Sequence, residues 1–274
     1  MRLFRRLGVI GGSGPLLVTL LFYVVPIATW AWSLRHERPG QPVLPTYQSQ
    51  IGDSAQISMS SAALAAFGGA TVACLARFSS QRTSNVLTFA MMVPLLTGFV
   101  ARNYSWVGLL TAIGSHRTPL SPLGELLDSR AGIVTVMAVV FVPFVYFIVS
   151  EAASHLSPPL YEASRTLGAT DARAFFVITL PLLLPATLLA FALSTILGLG
   201  YFVTPHLIGG GNFPFVANGV LSRLDLGDAQ GAALLGLYLL ATVFILAGLV
   251  AIVRAWWLRR HEPLTKTPHY VRTK

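Results

Sequence analysis

Residues 131–150 read AGIVTVMAVVFVPFVYFIVS, an unbroken apolar stretch of twenty positions without a charged side chain. A helix needs about 20 such residues to cross the hydrocarbon of a bilayer. In lipid each backbone amide must find its partner within its own segment, so a run of this kind is forced into a helix. Working outward from it, comparable runs occur from Pro15 to Leu34, Ile57 to Ala76, Thr83 to Ala101, Ala174 to Tyr201 and Ala229 to Val253. The sequence therefore predicts an all-α integral membrane protein with six transmembrane helices in a single domain, 1–274, the fourth helix being 131–150. Prolines at 26, 94, 143, 181 and 185 fall inside these runs, where neighbouring helices can satisfy the freed carbonyls and leave bends. The first run follows Arg2, Arg5 and Arg6 as a secretory signal would. Its apolar part is too long, however, and Trp30, Trp32 and Ser33 make a poor cleavage site, so it is expected to stay attached.

Composition agrees with lipid as the solvent. Hydrophobic residues make up 54% of the chain and charged residues 11%, where about a quarter charged is usual for a globular domain. The mean hydropathy is +0.68. A water-soluble enzyme or nucleic-acid-binding domain is excluded on that ground. The net charge of +9 reports topology, because the basic residues cluster at the chain ends and between the apolar runs. With six crossings, 13 of the 19 basic residues lie on the side of the termini, among them Arg77, Arg82, Arg165 and Arg173; Arg35, Arg38, Arg102, Arg117, Arg130 and Arg223 lie opposite. The positive-inside rule then places both termini and the 151–173 connection in the cytoplasm. The single cysteine, Cys74, sits inside an apolar run and reads as a small buried filler.

Several chemistries lack their residues. None of the ten acidic side chains falls in the middle of an expected span, which argues against a proton-coupled carrier working alone. No Gly-Lys pair occurs, so there is no Walker A loop for nucleotide phosphates. No two histidines stand at i,i+3 or i,i+4, so no metal site is visible and no cofactor is expected. Ser13, between Gly12 and Gly14, imitates the nucleophile loop of an intramembrane hydrolase, but a hinge explains it more simply. Asn103, Tyr104 and Ser105 satisfy the glycosylation pattern, a three-residue match expected to be incidental.

Between the fourth and fifth runs, residues 157–181 read SPPLYEASRTLGATDARAFFVITLP. Ser157 suits an N-cap, Pro158 a first helical turn, and Gly168 a left-handed helix end; Thr170 or Asp171 can cap a second helix. The pattern predicts helix, sharp turn, helix. The first helix is too short to stand alone and needs a surface to pack on. It is either a docking element, with Ala163 and Ser164 permitting close approach, or a connector lying on lipid.

This stretch resembles the cytoplasmic signature of the permease subunits of binding-protein-dependent ABC importers. That signature is Glu-Ala-Ala, three residues, Gly, nine residues, Ile, one residue, Leu-Pro. Here Glu162, Ala163 and Ser164 precede Gly168 at the required spacing, and Ile178, Leu180 and Pro181 complete it. Ser164 in place of the second alanine is the departure. The resemblance implies a type I ABC importer permease fold (MetI-like) in a bacterial inner (plasma) membrane. It further implies a transport subunit that is not itself an enzyme, an external solute-binding protein, an ABC ATPase dimer, and a second permease chain or a second copy of this one. Glu162, Ala163, Ser164, Gly168, Ile178, Leu180 and Pro181 would then couple the ATPase to the bundle. Within the family, Pro94 to Trp106, Pro143 and the stretch GYFVTPHLIGGG at 200–211 are most similar to spermidine/putrescine-type permeases. Permeases for ferric iron, sulfate, opines and phosphonates share parts of this pattern.

For the solute path the sequence offers Arg102, Tyr104, Trp106, Tyr201 and Phe202, near the outer ends of the third and fifth runs. Aromatic faces attract ammonium groups, yet Trp and Tyr also populate membrane interfaces without any ligand. Arg102 either faces a solute or snorkels to headgroups. Gly227, Gly231 and Gly236 are expected to let the last span approach a neighbour closely.

Overall fold

The computed structural model describes residues 24, 25, 28, 29, 32, 43–115, 121–156 and 170–260. The elements are α1 (Val43–Phe78), α2 (Gln81–Leu96), α3 (Phe99–Ser115), a 3-10 turn (Ser121–Leu126), α4 (Arg130–Ser154), α5 (Asp171–Ala174), a π-helical turn (Phe175–Thr179), α6 (Leu180–Leu199), α7 (Val203–Ile208), α8 (Val216–Asp225) and α9 (Ala229–Arg260). Among the described residues there is no β-strand. Four segments of the described residues are singly long and apolar enough to cross a membrane: Val43–Phe78, Arg130–Ser154, Phe175–Leu199 and Ala229–Ala255. A fifth crossing requires α2 and α3 together, and these are bent by 100°. The expected first span, 15–34, lies outside the described residues except for 24, 25, 28, 29 and 32, which are helical.

The decisive run forms α4, the centre of the bundle. Ser129 caps its start, accepting a hydrogen bond from the Gly132 amide at 3.0 Å. Ile133, Val136, Met137, Val140, Phe141, Val145, Tyr146 and Val149 are all buried, on nearly every side of the helix. Against it lies α1, whose buried residues are mostly short: Ser54, Ser58, Ser61, Ala62, Ala65, Ala66, Gly69, Ala73 and Ala76. These recur at three- and four-residue steps, so they form one stripe. Lipid tails are as apolar as leucine, so helices in a membrane are held by van der Waals packing and interhelical hydrogen bonds; small residues let backbones come close. At Gly69 a side-chain carbon would stand 2.6 Å from Val145 Cβ and 2.8 Å from the Val142 carbonyl oxygen, so only glycine fits.

The two helices run parallel. Arg130 at the start of α4 pairs with Asp53 and donates to Gln56 Oε1 at 2.8 Å, while Ala153 at its other end meets Arg77. α6 returns antiparallel: Gly198 approaches Ser58, and Phe175, just before α6, meets Phe78. One end of the bundle therefore carries residues 77–81, 153–156 and 170–175, and the other carries Val43, Arg130 and residues 200–216.

Three expectations need correction. The second span, expected from Ile57, begins at Val43. Its extra turns are too polar to be read as membrane helix, but they have tertiary partners: Val43 is buried with Val216 and Leu235, and Tyr47 packs on Tyr238 at 5.5 Å. The third span, expected as one run from Thr83 to Ala101, breaks after Leu96. Thr97 is extended, with φ −76° and ψ 131°, and its amide and hydroxyl both donate to the Val93 carbonyl, at 3.1 and 2.9 Å. Arg102 donates to the Pro94 carbonyl, pairing one of the acceptors that the break frees. Gly227 is likewise no packing glycine. With φ +76° and open space around it, it makes the turn between α8 and α9, whereas Gly231 sits in close contact, under Arg223 and Asp228.

Candidate functional site

At the end that carries Arg77 and Phe175, Ile178, Leu180 and Pro181 are the signature residues that the structure describes; Glu162, Ala163, Ser164 and Gly168 lie outside the described residues. Ile178 is half-buried within the π-helical turn, and Leu180 and Pro181 are exposed just beyond it. The cause is local. Pro181 has no amide hydrogen, and its ring would collide with the carbonyl four residues back, that of Val177, in an α-helix. The chain widens instead: the Leu180 amide bonds the Phe175 carbonyl, five residues back. The sequence shows the proline but not the wider turn.

At the opposite end, polar groups are buried between α1, α3, α6 and α7. Asn103 and Thr204 have no solvent exposure. The Thr204 hydroxyl donates to Asn103 Oδ1 at 2.5 Å, and Asn103 Nδ2 donates to the Phe99 carbonyl at 2.8 Å, so Asn103 ties α3 to α7. Its burial keeps it out of reach of a glycosyltransferase in the folded chain. Tyr201 lies edge-on to Phe141, with ring centres 5.8 Å apart. Among the described residues its buried hydroxyl has no hydrogen-bond partner, nor has that of Ser58.

The residues proposed for the solute path divide. Trp106 and Tyr201 pack against the central core, whereas Tyr104 and Phe202 are exposed, at 59% and 43%. Arg102 is half-buried and holds the α2–α3 bend through Pro94, with its Nε unpartnered among the described residues. Asn103, Thr204 and Ser58 were not singled out by sequence reasoning as part of a site. Asn103 stood in view only as half of a glycosylation pattern, and nothing in its neighbours signals burial.

A bent helix pair, a widened turn beneath α6 and a polar seam lie in an otherwise apolar bundle with several helices long enough to cross a membrane. Comparison with known proteins narrows the class. The chain belongs to the family of binding-protein-dependent transport system inner membrane components, whose sequence profile matches residues 3–263. It is 28% identical over 195 residues to the inner membrane ABC transporter permease protein YdcU of Escherichia coli (strain K12), covering 65% of this chain and 59% of that protein. It is also 28% identical over 211 residues to the putrescine transport system permease protein PotI of the same organism, covering 77% of this chain and 72% of PotI. The match thus spans about three fifths to three quarters of these relatives. Among solved structures, a chain of a bacterial ABC transporter that imports the acidic polysaccharide alginate superposes with a TM-score of 0.68 at 16% identity, over 96% of this chain and 100% of that one. The fold is therefore that of ABC importer permeases, and the family is a transport component, not an enzyme.

Proposed function

We propose that this chain is the permease subunit of an inner-membrane ABC importer for polyamines of the putrescine and spermidine type, with both termini in the cytoplasm. A solute-binding protein delivers the solute from outside, an ATPase dimer docks at 157–181, and a second permease chain or copy completes the pathway. The likeness to PotI carries the substrate reading. Chemistry supports it: the partly buried Trp106 and Tyr201 present aromatic faces that attract an ammonium group, and the Tyr201 hydroxyl has no partner among the described residues.

Energy enters at the loop. ATP binding moves a two-state bundle only as far as it favours one state, so the contact that carries it must be stiff. In this reading Glu162, Ala163 and Ser164 seat in the ATPase, Gly168 makes the turn, and Ile178, Leu180 and Pro181 pass the motion to α6 through the π-helical turn.

The direct test is the ligand of the cognate solute-binding protein, together with uptake of labelled putrescine into vesicles reconstituted with the whole importer. Micromolar or tighter polyamine binding and ATP-dependent uptake are expected. A binding protein that takes iron, an opine or a phosphonate and ignores polyamines overturns the substrate reading while leaving the permease assignment intact.

A further inference from the structure

The last turn of α1 touches both stems of the segment 157–169. Arg77 reaches the stem that leads into it: Nε donates to the Ala153 carbonyl at 3.2 Å and Nη2 to the Leu156 carbonyl at 3.3 Å. These carbonyls lie at and just past the C-terminal end of α4, where the helix dipole favours a cation; that of Ala153 also accepts from the Leu156 amide at 3.2 Å. The neighbouring residue reaches the stem that leads out. The Phe78 ring stands edge-on to Phe175, with centres 6.3 Å apart, at the first residue of the π-helical turn. Two adjacent side chains of one helix thus hold both ends of the loop. That helix runs the length of the bundle against α4 and α6, with Gly69 and Ser58 in close contact.

We infer that Arg77 and Phe78 form a clamp through which movement of the 157–169 loop is passed to α1 as well as to α6, so that α1 and both stems move as one body. The inference rests on the reading of that loop as the ATPase-docking element. Without the clamp, a push on the loop would bend its two stems independently and be lost. Arg77 and Phe78 are positioning residues here and touch no solute. Guanidinium geometry suits the task, since one head with several donors spans two carbonyls.

The test uses the whole importer in proteoliposomes, with uptake and ATP hydrolysis measured together. Arg77→Ala is expected to leave the ATPase co-purifying and hydrolysing ATP while uptake per ATP falls about tenfold or more. Arg77→Lys keeps the charge and one donor contact and should recover part of it. Uptake per ATP unchanged in Arg77→Ala overturns the clamp. Glu162→Ala, run alongside, separates the two ideas: it should release the ATPase, and if ATPase and uptake both stay at wild-type level the docking reading falls and takes the clamp with it. A second experiment does not depend on Arg77→Ala folding. In a Cys74→Ser background, Phe78→Cys and Phe175→Cys are joined by a short thiol crosslinker. Retained uptake after crosslinking is expected of parts that move together, and uptake abolished by the crosslink overturns the proposal.

Discussion

Gly69 and Gly68 sit side by side on α1, and their replacement by alanine separates close helix contact from every other effect of the substitution. A methyl at Gly69 would lie 2.6 Å from Val145 Cβ and 2.7 Å from its Cγ1, whereas at Gly68 the nearest atom is Val142 Cγ2 at 3.4 Å. Carbon atoms prefer separations of about 3.5–4.0 Å, so Gly69→Ala demands that α1 and α4 part by roughly 1 Å. Overpacking of this kind costs about 1–3 kcal/mol. The same change removes a glycine from a helix interior, which in water is worth at most about 1 kcal/mol in the opposite direction. The net expectation is a loss of about 1–2 kcal/mol for Gly69→Ala and a neutral or slightly favourable effect for Gly68→Ala. Followed by intrinsic tryptophan fluorescence on heating in detergent, Gly69→Ala should lower Tm by roughly 3–8 °C and Gly68→Ala by no more than about 1 °C. ATP-driven uptake should fall with it, because the parallel pair α1–α4 is the frame on which the other helices rest. Equal melting of the two variants would refute the claim that glycine is required there by contact with α4.

Other consequences are read from single contacts. Asn103→Leu strips the buried Thr204 hydroxyl of its acceptor and should cost about 1–3 kcal/mol in thermal unfolding, while the double variant with Thr204→Val should cost clearly less than the two singles added. Tyr146→Phe removes the 2.6 Å hydrogen bond to Thr88 between α4 and α2, and a loss of about 0.6 kcal/mol, at most about 2, is expected by the same measurement. Tyr201→Phe loses no partner among the described residues and should leave Tm unchanged; a raised KM for polyamine uptake would place its hydroxyl on the solute path, and an unchanged KM would remove it from there. Gly168→Val should stop uptake without preventing membrane insertion, because a β-branched residue is poorly tolerated at the positive φ expected of that turn; full uptake would contradict the turn.

The apolar runs were legible where lipid alone decides. Arg130–Ser154 and Ala229–Arg260 lie within a few residues of expectation at their starts, since hydrocarbon solvation dictates a helix whatever its neighbours. The early start of α1 was hidden because Val43 and Tyr47 are held by α8 and α9, far away in sequence. The 100° bend was hidden for a similar reason: Pro94 and Gly98 mark a weak place, but the Arg102 contact that stabilises the broken form is a matter of geometry. At the site, the signature spacing gave Ile178, Leu180 and Pro181 but not the widened turn they occupy. The polar seam escaped because Asn103 and Thr204 carry no periodic signal and acquire meaning only when α7 folds back on α3.

The central claim is that a cytoplasmic loop takes its drive from an ATPase. In a Cys74→Ser chain carrying Ala163→Cys, a membrane-impermeant maleimide applied to intact cells measures it most directly. The account predicts no labelling until the membrane is permeabilised, and then protection when the ATPase is co-expressed. Labelling of intact cells would contradict it, since the loop would then face away from the only compartment that supplies ATP.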